Sequence, residues 1–228
     1  MTNIINRRML IATAALAPLL ALPGCATMNG GGFDLVGAIR RLLGLSAQRA
    51  FASLLQENGF FDSQIARISL PDALGGAAGN ALLTAVLRSE AFRSRLTRQV
   101  NRAAENGAAL AAPIVTEAIQ TMNMGDVLGV VRGGPTAATA ILQNALGPRL
   151  VETMLPGIGQ GLKLLDSGVV TETLRLVSGI DFAGLRDDIS RKASDGIYRA
   201  IGREETAIRA NPAATGDPLI TAVFALAA

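Results

Sequence analysis

Apolar residues recur at steps of three and four along most of the chain, which is the spacing that puts side chains on one face of an α-helix. The first such stripe starts after Asp34, an N-cap residue type, and continues to Leu55. The clearest stripe opens near Asp181 and stops at Asn211-Pro212, because a residue before proline avoids the helical region. Within this last helix we expect Glu205 to pair with Arg209, one turn later.

The rest of the chain predicts further helices joined by loops. Phe60 to Pro71 is expected to be a packed loop. Glycines at 157, 159 and 161 predict a helix interruption rather than a phosphate-binding loop, since the strand and glycine spacing of such a loop are missing. The helical stretches are 72–122, 126–131, 135–146 (closed by Gly147-Pro148), 150–165, 169–177 and 219–226. With no sustained alternation of period two, the sequence predicts an all-α fold: one compact domain of about seven to nine helices over residues 34–228.

The first 24 residues have the anatomy of a secretory signal. Arg7 and Arg8 precede an apolar run from Met9 to Leu22, which is too short for a stable membrane span. Leu22-Pro23-Gly24-Cys25 then resembles a bacterial lipobox, in which the cysteine thiol is alkylated by diacylglycerol and the signal is removed before it. The alternative is an ordinary cleaved signal with a chance cysteine. The arginine pair fits a twin-arginine export signal and a general secretion signal equally well.

This interpretation divides the chain into a signal peptide (1–24), a lipidated glycine-rich tether (25–33) and a helical domain (34–228). Acyl chains such as palmitate would anchor the protein, and Ala26, in place of the aspartate typical of inner-membrane retention, favours the periplasmic face of the outer membrane. Loss of residues 1–24 removes two arginines and leaves 19 basic against 18 acidic residues, a net charge of +1. We therefore expect a membrane and an envelope protein as partners, and no nucleic acid.

Composition excludes several kinds of catalytic and metal site. The chain has no histidine and one cysteine, which removes Ser-His-Asp and Cys-His nucleophilic sites, His-ligated zinc, an internal disulfide and thiolate clusters. The pairs Asp187-Asp188 and Glu204-Glu205 point about 100° apart on a helix, so we interpret both as solvent-facing. An enzyme would need buried carboxylates that converge, such as Asp195 with Glu204. We expect no enzyme activity, no catalytic residue, no metal and no cofactor.

One charge pattern suggests an interaction face. Arg88, Arg95 and Arg102 recur every seven residues, and Arg98 joins them at steps of three and four. Such a stripe could meet anionic lipid head groups or an acidic partner. The favoured alternative is structural: the arginines would pair with acidic residues of the C-terminal helices, namely Asp187, Asp195 or Glu204.

Several segments together resemble the DUF4197 family, bacterial exported proteins and lipoproteins of unknown function. The segments lie in matching order over most of residues 35–225: Phe60-Phe61, Ile68 to Pro71, Asn101 to Glu105, Ala112-Pro113, Glu117 to Ile119, Met122, Gly134, Thr136 to Thr139, Lys192 to Tyr198, Glu204-Glu205 and Ile208 to Ala214. The resemblance implies a helical exported domain and carries over no catalytic residues.

Two functions remain open at this stage. The first is a lipid-anchored envelope protein that acts through protein contacts, in a structural or accessory role. The second is a periplasmic carrier of an apolar small molecule or lipid, because half of the residues are apolar, few are aromatic, and helices rich in glycine and alanine can leave a cavity between them. A sealed core would count against the carrier.

Overall fold

The computed structural model describes residues 34–70, 85, 89–163 and 182–225 of the 228-residue chain. The predicted signal peptide, the tether and the predicted helix at 169–177 lie outside these residues, as do residues 72–84 and 86–88 of the predicted helical stretch 72–122.

The described part of the chain is built from α-helices and contains no strand, which confirms the all-α prediction. Within the described residues, seven α-helices and one 3-10 turn pack into one compact domain. None of these helices is both long and apolar enough to cross a bilayer. The helices are α1 (Leu35–Leu54), α2 (Gly59–Asp62), α3 (Glu90–Thr121), α4 (Val127–Arg132), α5 (Ala137–Leu162), α6 (Phe182–Ala210) and α7 (Pro218–Phe224), with the 3-10 turn at Pro212–Thr215.

Aspartate side chains begin three of these helices, and the first of them, Asp34, is the N-cap expected from the sequence. The Oδ1 atom of Asp34 accepts a hydrogen bond from the N–H of Gly37 at 2.8 Å, and Asp126 does the same for Gly129 at 2.8 Å. Asp217 caps α7 through the N–H groups of the second and third helical residues. These carboxylates satisfy backbone donors that have no partner inside the helix.

Helix α5 is longer than predicted, and the expected breaks at Gly147-Pro148 and at glycines 157–161 are both wrong. The helix runs unbroken from Ala137 to Leu162 and includes Pro148 and Pro156. A proline inside a helix removes one backbone hydrogen bond. Here both prolines are exposed, as are Asn144 and Glu152, whose carbonyl groups lose a partner. Water can therefore satisfy those carbonyls, and the helix continues.

The glycines of α5 are explained by the helix that packs against it. A Cβ atom on Gly157 would lie 2.6 Å from the backbone oxygen of Asn106, and one on Gly161 would lie 2.5 Å from Cα of Ala103. On the facing helix α3, a Cβ on Gly107 would lie 2.7 Å from the side chain of Ile158 in α5. Small residues on both faces thus let the backbones of α3 and α5 approach closely. Glycine destabilises a helix, and the dispersion contacts between the two close helices offset that cost.

Helix α6 and the loop before α3 complete the core. The predicted apolar stripe of α6 is buried at Leu185, Ile189, Ala193, Ile197, Ile201 and Ile208. The predicted packed loop begins as helix α2 at residues 60–62, and its later part is held by Asn101 of α3, whose side chain is fully buried. Its Oδ1 accepts from the N–H of Ile68 at 2.8 Å, and its Nδ2 donates to the Ile68 carbonyl at 2.9 Å.

Replacing Gly161 with alanine tests the close helix contact. Because the new methyl group would overlap the backbone of Ala103, we expect Gly161→Ala to lower the free energy of unfolding by about 1–3 kcal/mol. Gly159→Ala is the matched control on the same helix: its nearest neighbour would be Cδ of Arg186 at 3.7 Å, an ordinary contact. We expect this control to stabilise the protein by about 0.5–1 kcal/mol. Urea unfolding followed by circular dichroism measures both, and equal effects would contradict the packing described here.

Candidate functional site

The predicted lipidation site and arginine face are only partly within the described residues. Cys25 and Arg88 lie outside them. Arg95, Arg98 and Arg102 are exposed on α3, and Arg102 lies 3.5 Å from the carboxylate of Glu57. Both side chains of this pair are more than half exposed, so the pair adds little stability.

The expected pairing of this arginine face with the C-terminal helices is wrong for its described members. No ion pair joins Arg95, Arg98 or Arg102 to the acidic residues of α6 within the described part of the chain. Asp188 instead pairs with Lys192 at 2.7 Å and Asp187 with Arg186 at 3.1 Å, along their own helix.

The arginine face extends to an aromatic ring on α2. The guanidinium carbon of Arg67 lies 4.1 Å from the ring centroid of Phe61, and that of Arg98 lies 5.4 Å from it. Cation–π attraction holds both cations at the half-exposed ring. We call Phe61, Arg67, Arg95, Arg98 and Arg102 the arginine patch.

A fully buried carboxylate joins α6 to the start of α5. Glu205 accepts hydrogen bonds from the N–H groups of Ala138 at 3.0 Å and Thr139 at 2.7 Å, and from the Thr139 hydroxyl at 2.6 Å. The N-terminus of a helix attracts negative charge because its N–H groups are unpaired and its dipole is positive there. The charge of Glu205 therefore compensates the end of α5, across the helix interface.

Arg209 neutralises the same carboxylate and extends the network to two further helices. Its Nε donates to Glu205 at 2.8 Å, which confirms the predicted pair. Its terminal nitrogens donate to the carbonyls of Val130 and Val131 at the end of α4, at 3.0 and 3.1 Å. The guanidinium also stacks on Phe224 of α7, 4.8 Å from the ring centroid. Four helices meet at this one ion pair.

The interpretation of Glu205 as solvent-facing was wrong. The sequence did carry a signal, because Glu205 continues the step of four that runs through Ile197 and Ile201, and so falls on the buried stripe of α6. Asp195 is exposed and Glu204 is half-exposed, so this pair forms no buried dyad. Within the ranges that the structure describes, no three potential ligands cluster to hold a metal ion.

A groove of about 570 Å³ lies between α5 and α6, beside the buried carboxylate. It is open to solvent, and its lining combines aliphatic side chains with hydrogen-bonding and charged ones. Among its lining residues are Ile65, Ala140, Gln143, Tyr198, Arg199 and Arg203.

Tyr198 lines this groove, but its hydroxyl is buried away from it and is unsatisfied. Its side chain is 4% exposed, and its hydroxyl oxygen is buried with no hydrogen-bond partner among the described residues. Burial, followed by the nearby negative charge of Asp195, raises the pKa of Tyr198 to about 12. The phenol is therefore neutral at physiological pH and keeps a proton to donate.

Two arginines stand at the same groove. Arg199 is held in place because its Nε donates to the carbonyl of Ile65 at 2.7 Å. Arg203 follows one turn later on α6, and Gly202 between them keeps the helices close: a Cβ there would lie 3.0 Å from Thr136. None of Tyr198, Arg199 and Arg203 was predicted from the sequence to be a site residue. All three lie on a helix rich in charged residues, where no local motif marks them.

These features define an all-α domain with an open groove and a buried ion pair at its centre. The chain belongs to the DUF4197 family, proteins of unknown function, whose family model matches residues 31–225 and thus confirms the resemblance noted from the sequence. Comparison with curated proteins and with solved structures found no match.

Neutralising Glu205 tests its structural role. Glu205→Gln removes the negative charge that compensates Arg209 and the start of α5. It also places an amide N–H₂ group against the N–H donors that the carboxylate now accepts from. We expect a loss of about 3–5 kcal/mol in the free energy of unfolding. Glu204→Gln is the matched control at the half-exposed neighbouring position, with an expected change within about 0.5 kcal/mol. Both are measured by urea unfolding. A Glu205→Gln variant as stable as the original protein would show that the carboxylate does not hold these helices together.

The ionisation of Tyr198 can be followed without interference. Tyr198 is the only tyrosine and the chain has no tryptophan, so the ultraviolet absorbance of phenolate reports this residue alone. We expect a midpoint at pH about 12 in the folded protein and at about 10 in urea. Because the unfolded chain loses this proton first, folding stability should fall as pH rises between these two values. A folded-state midpoint near the urea value, with circular dichroism unchanged, would refute the burial of this hydroxyl.

Proposed function

We propose that this protein is a lipid-anchored component of the bacterial cell envelope, held at the periplasmic face of the outer membrane, whose helical domain acts by binding other molecules. The observation that carries the anchor is Leu22-Pro23-Gly24-Cys25 directly after the apolar run of residues 9–22. Two or more acyl chains on one cysteine are enough for stable membrane attachment. In this proposal the short segment MNGGG at residues 28–32 joins the anchor to the helical domain.

A role in binding rather than in catalysis is supported by how the domain uses its carboxylates. Glu205 is fully buried, but its oxygens are occupied by Ala138, Thr139 and Arg209. A general acid or base must reach a substrate proton, and this carboxylate is committed to holding helices together. The proposal is therefore a structural or accessory protein and not an enzyme.

Contact with another envelope protein is supported by the arginine patch. Arg67 and Arg98 place two guanidinium groups at the half-exposed ring of Phe61, and arginine and aromatic side chains are enriched where proteins meet. An acidic surface is the complementary partner.

A second candidate function is a carrier of a small molecule. The groove between α5 and α6 favours it, since a volume of about 570 Å³ lies within the range of about 300–1,000 Å³ that is usual for ligand pockets. The groove is open to solvent and is not a closed tunnel, so any ligand would sit partly exposed.

Replacing Cys25 with serine tests the anchor. Without the thiol no thioether to diacylglycerol can form, so we expect Cys25→Ser to lose the mass of the lipid and to leave the membrane fraction. Intact-mass spectrometry and fractionation of the envelope measure the two effects. Ala26→Ser is the matched control, which keeps the thiol and should behave as the original protein. Sedimentation of Cys25→Ser with membranes and an unmodified mass in the original protein would overturn the proposed anchor.

A further inference from the structure

We propose that the arginine patch binds an acidic segment of another protein, whose carboxylates pair with Arg67, Arg95 and Arg98. This inference rests on the proposed contact with an envelope protein, and it goes further by naming the chemistry of the partner and the side chains that recognise it. It is independent of whether Cys25 carries lipid.

The positive charge of the arginine patch has little compensation inside the domain. Within the part of the chain that the structure describes, Arg102 is the only one of the four arginines paired with a carboxylate, and this contact with Glu57 is long and exposed. Arg95, Arg98 and Arg102 also follow one another at steps of three and four on α3, and like charges at these spacings destabilise a helix. An anion from outside the domain would relieve this repulsion.

Two further acidic residues near the patch do not neutralise it. Glu105 is turned toward α2, where its carboxylate accepts from the N–H of Phe60 at 3.4 Å. Asp62, which follows Phe61, is exposed and joins no ion pair among the described residues. The guanidinium groups therefore remain available to carboxylates of a partner.

The cations of the patch are held in fixed positions. The buried amide of Asn101 binds both backbone groups of Ile68, at 2.8 and 2.9 Å, so the neighbouring Arg67 is fixed against α3. The ring of Phe61 then holds the guanidinium groups of Arg67 and Arg98. Little ordering of these side chains is needed when a partner binds, which favours affinity.

Two features favour a protein partner over a lipid surface. Guanidinium groups at fixed positions suit carboxylates that a protein presents at matching positions, whereas mobile anionic head groups attract basic side chains of either kind. The patch also lies at the far end of α1 from Asp34, since Glu57, the partner of Arg102, follows the end of that helix. The 20 residues of α1 span about 30 Å. The chain that leads to Cys25 joins the domain at the opposite end.

The test uses the purified full chain carrying Cys25→Ser, so that no acyl chain at that position takes part. The probe is a peptide of alternating glutamate and alanine with blocked ends, and its control has glutamine in place of glutamate. Calorimetric titration should show saturable binding of the glutamate peptide at one molecule per chain, weakened by added salt because exposed charges are screened. Absence of binding, or equal binding of the glutamine peptide, would overturn the inference.

Three variants assign the binding to the patch. Arg95→Gln removes a cation that has no ion pair among the described residues, so we expect peptide affinity to fall about threefold while the melting temperature stays level or rises. Arg98→Lys keeps the charge but loses the planar group at Phe61, and should weaken binding by a similar factor. Arg149→Gln, at an exposed position on α5, is the matched control and should leave affinity unchanged.

The result for Arg98→Lys is decisive, because a site that attracts anions by net charge alone would not distinguish lysine from arginine. An unaltered affinity in Arg95→Gln or Arg98→Lys, or an equal loss in Arg149→Gln, would contradict the proposed contacts.

Sedimentation with vesicles of phosphatidylcholine and phosphatidylglycerol separates a membrane from a protein partner. The Cys25→Ser chain is compared with two derivatives, one carrying Arg95→Gln with Arg98→Gln and the other Arg132→Gln with Arg149→Gln, which are exposed positions outside the patch. We expect both derivatives to sediment equally. A greater loss in the patch derivative would make the patch a membrane site and overturn the inference.

These experiments are separate from the test of the anchor. A peptide that fails to bind leaves the anchor intact, because the anchor stands or falls with the mass and location of the Cys25→Ser variant. An anchor that fails leaves the peptide titration unchanged, because the titration is carried out without lipid at Cys25.

Discussion

The arrangement of the helices depends on compensating one buried negative charge. A carboxylate without water is strongly unfavourable unless hydrogen bonds and an opposite charge replace its hydration. Glu205 obtains both, from the start of α5 and from Arg209. Because Arg209 also holds the last carbonyls of α4 and the ring of Phe224 in α7, short helices with little core of their own are fixed by the same ion pair.

A second constraint, the close contact of α3 with α5, acts at the other end of α5. Glycines 157 and 161 leave no room for a side chain against Ala103 and Asn106. Helix α5 is therefore held by electrostatics at its first turn and by backbone contact at its last turns. A groove wall fixed at both ends is suited to recognition, because little ordering is needed when a ligand binds.

The arginine patch and the groove lie on different elements. The arginine patch is formed by α2, α3 and the loop that follows α2, whereas the groove is formed by α5, α6 and Ile65. The chain is a member of the DUF4197 family with a lipobox-like sequence ahead of α1, and we propose that it combines a membrane anchor with two separate binding surfaces. The two surfaces are therefore separate in the fold.

Local patterns in the sequence determined the all-α class, the aspartate caps, the buried stripe of α6 and its end before Pro212, because apolar spacing and capping act within a few residues. Only the tertiary structure decided the rest. Gly157 and Gly161 lower the local helix propensity, yet they allow α5 to pack closely against α3. Glu205 is buried because folding brings the start of α5 next to it. The unsatisfied hydroxyl of Tyr198 likewise exists only where two helices and a loop meet, since whether a polar atom has a partner depends on residues far away in the chain.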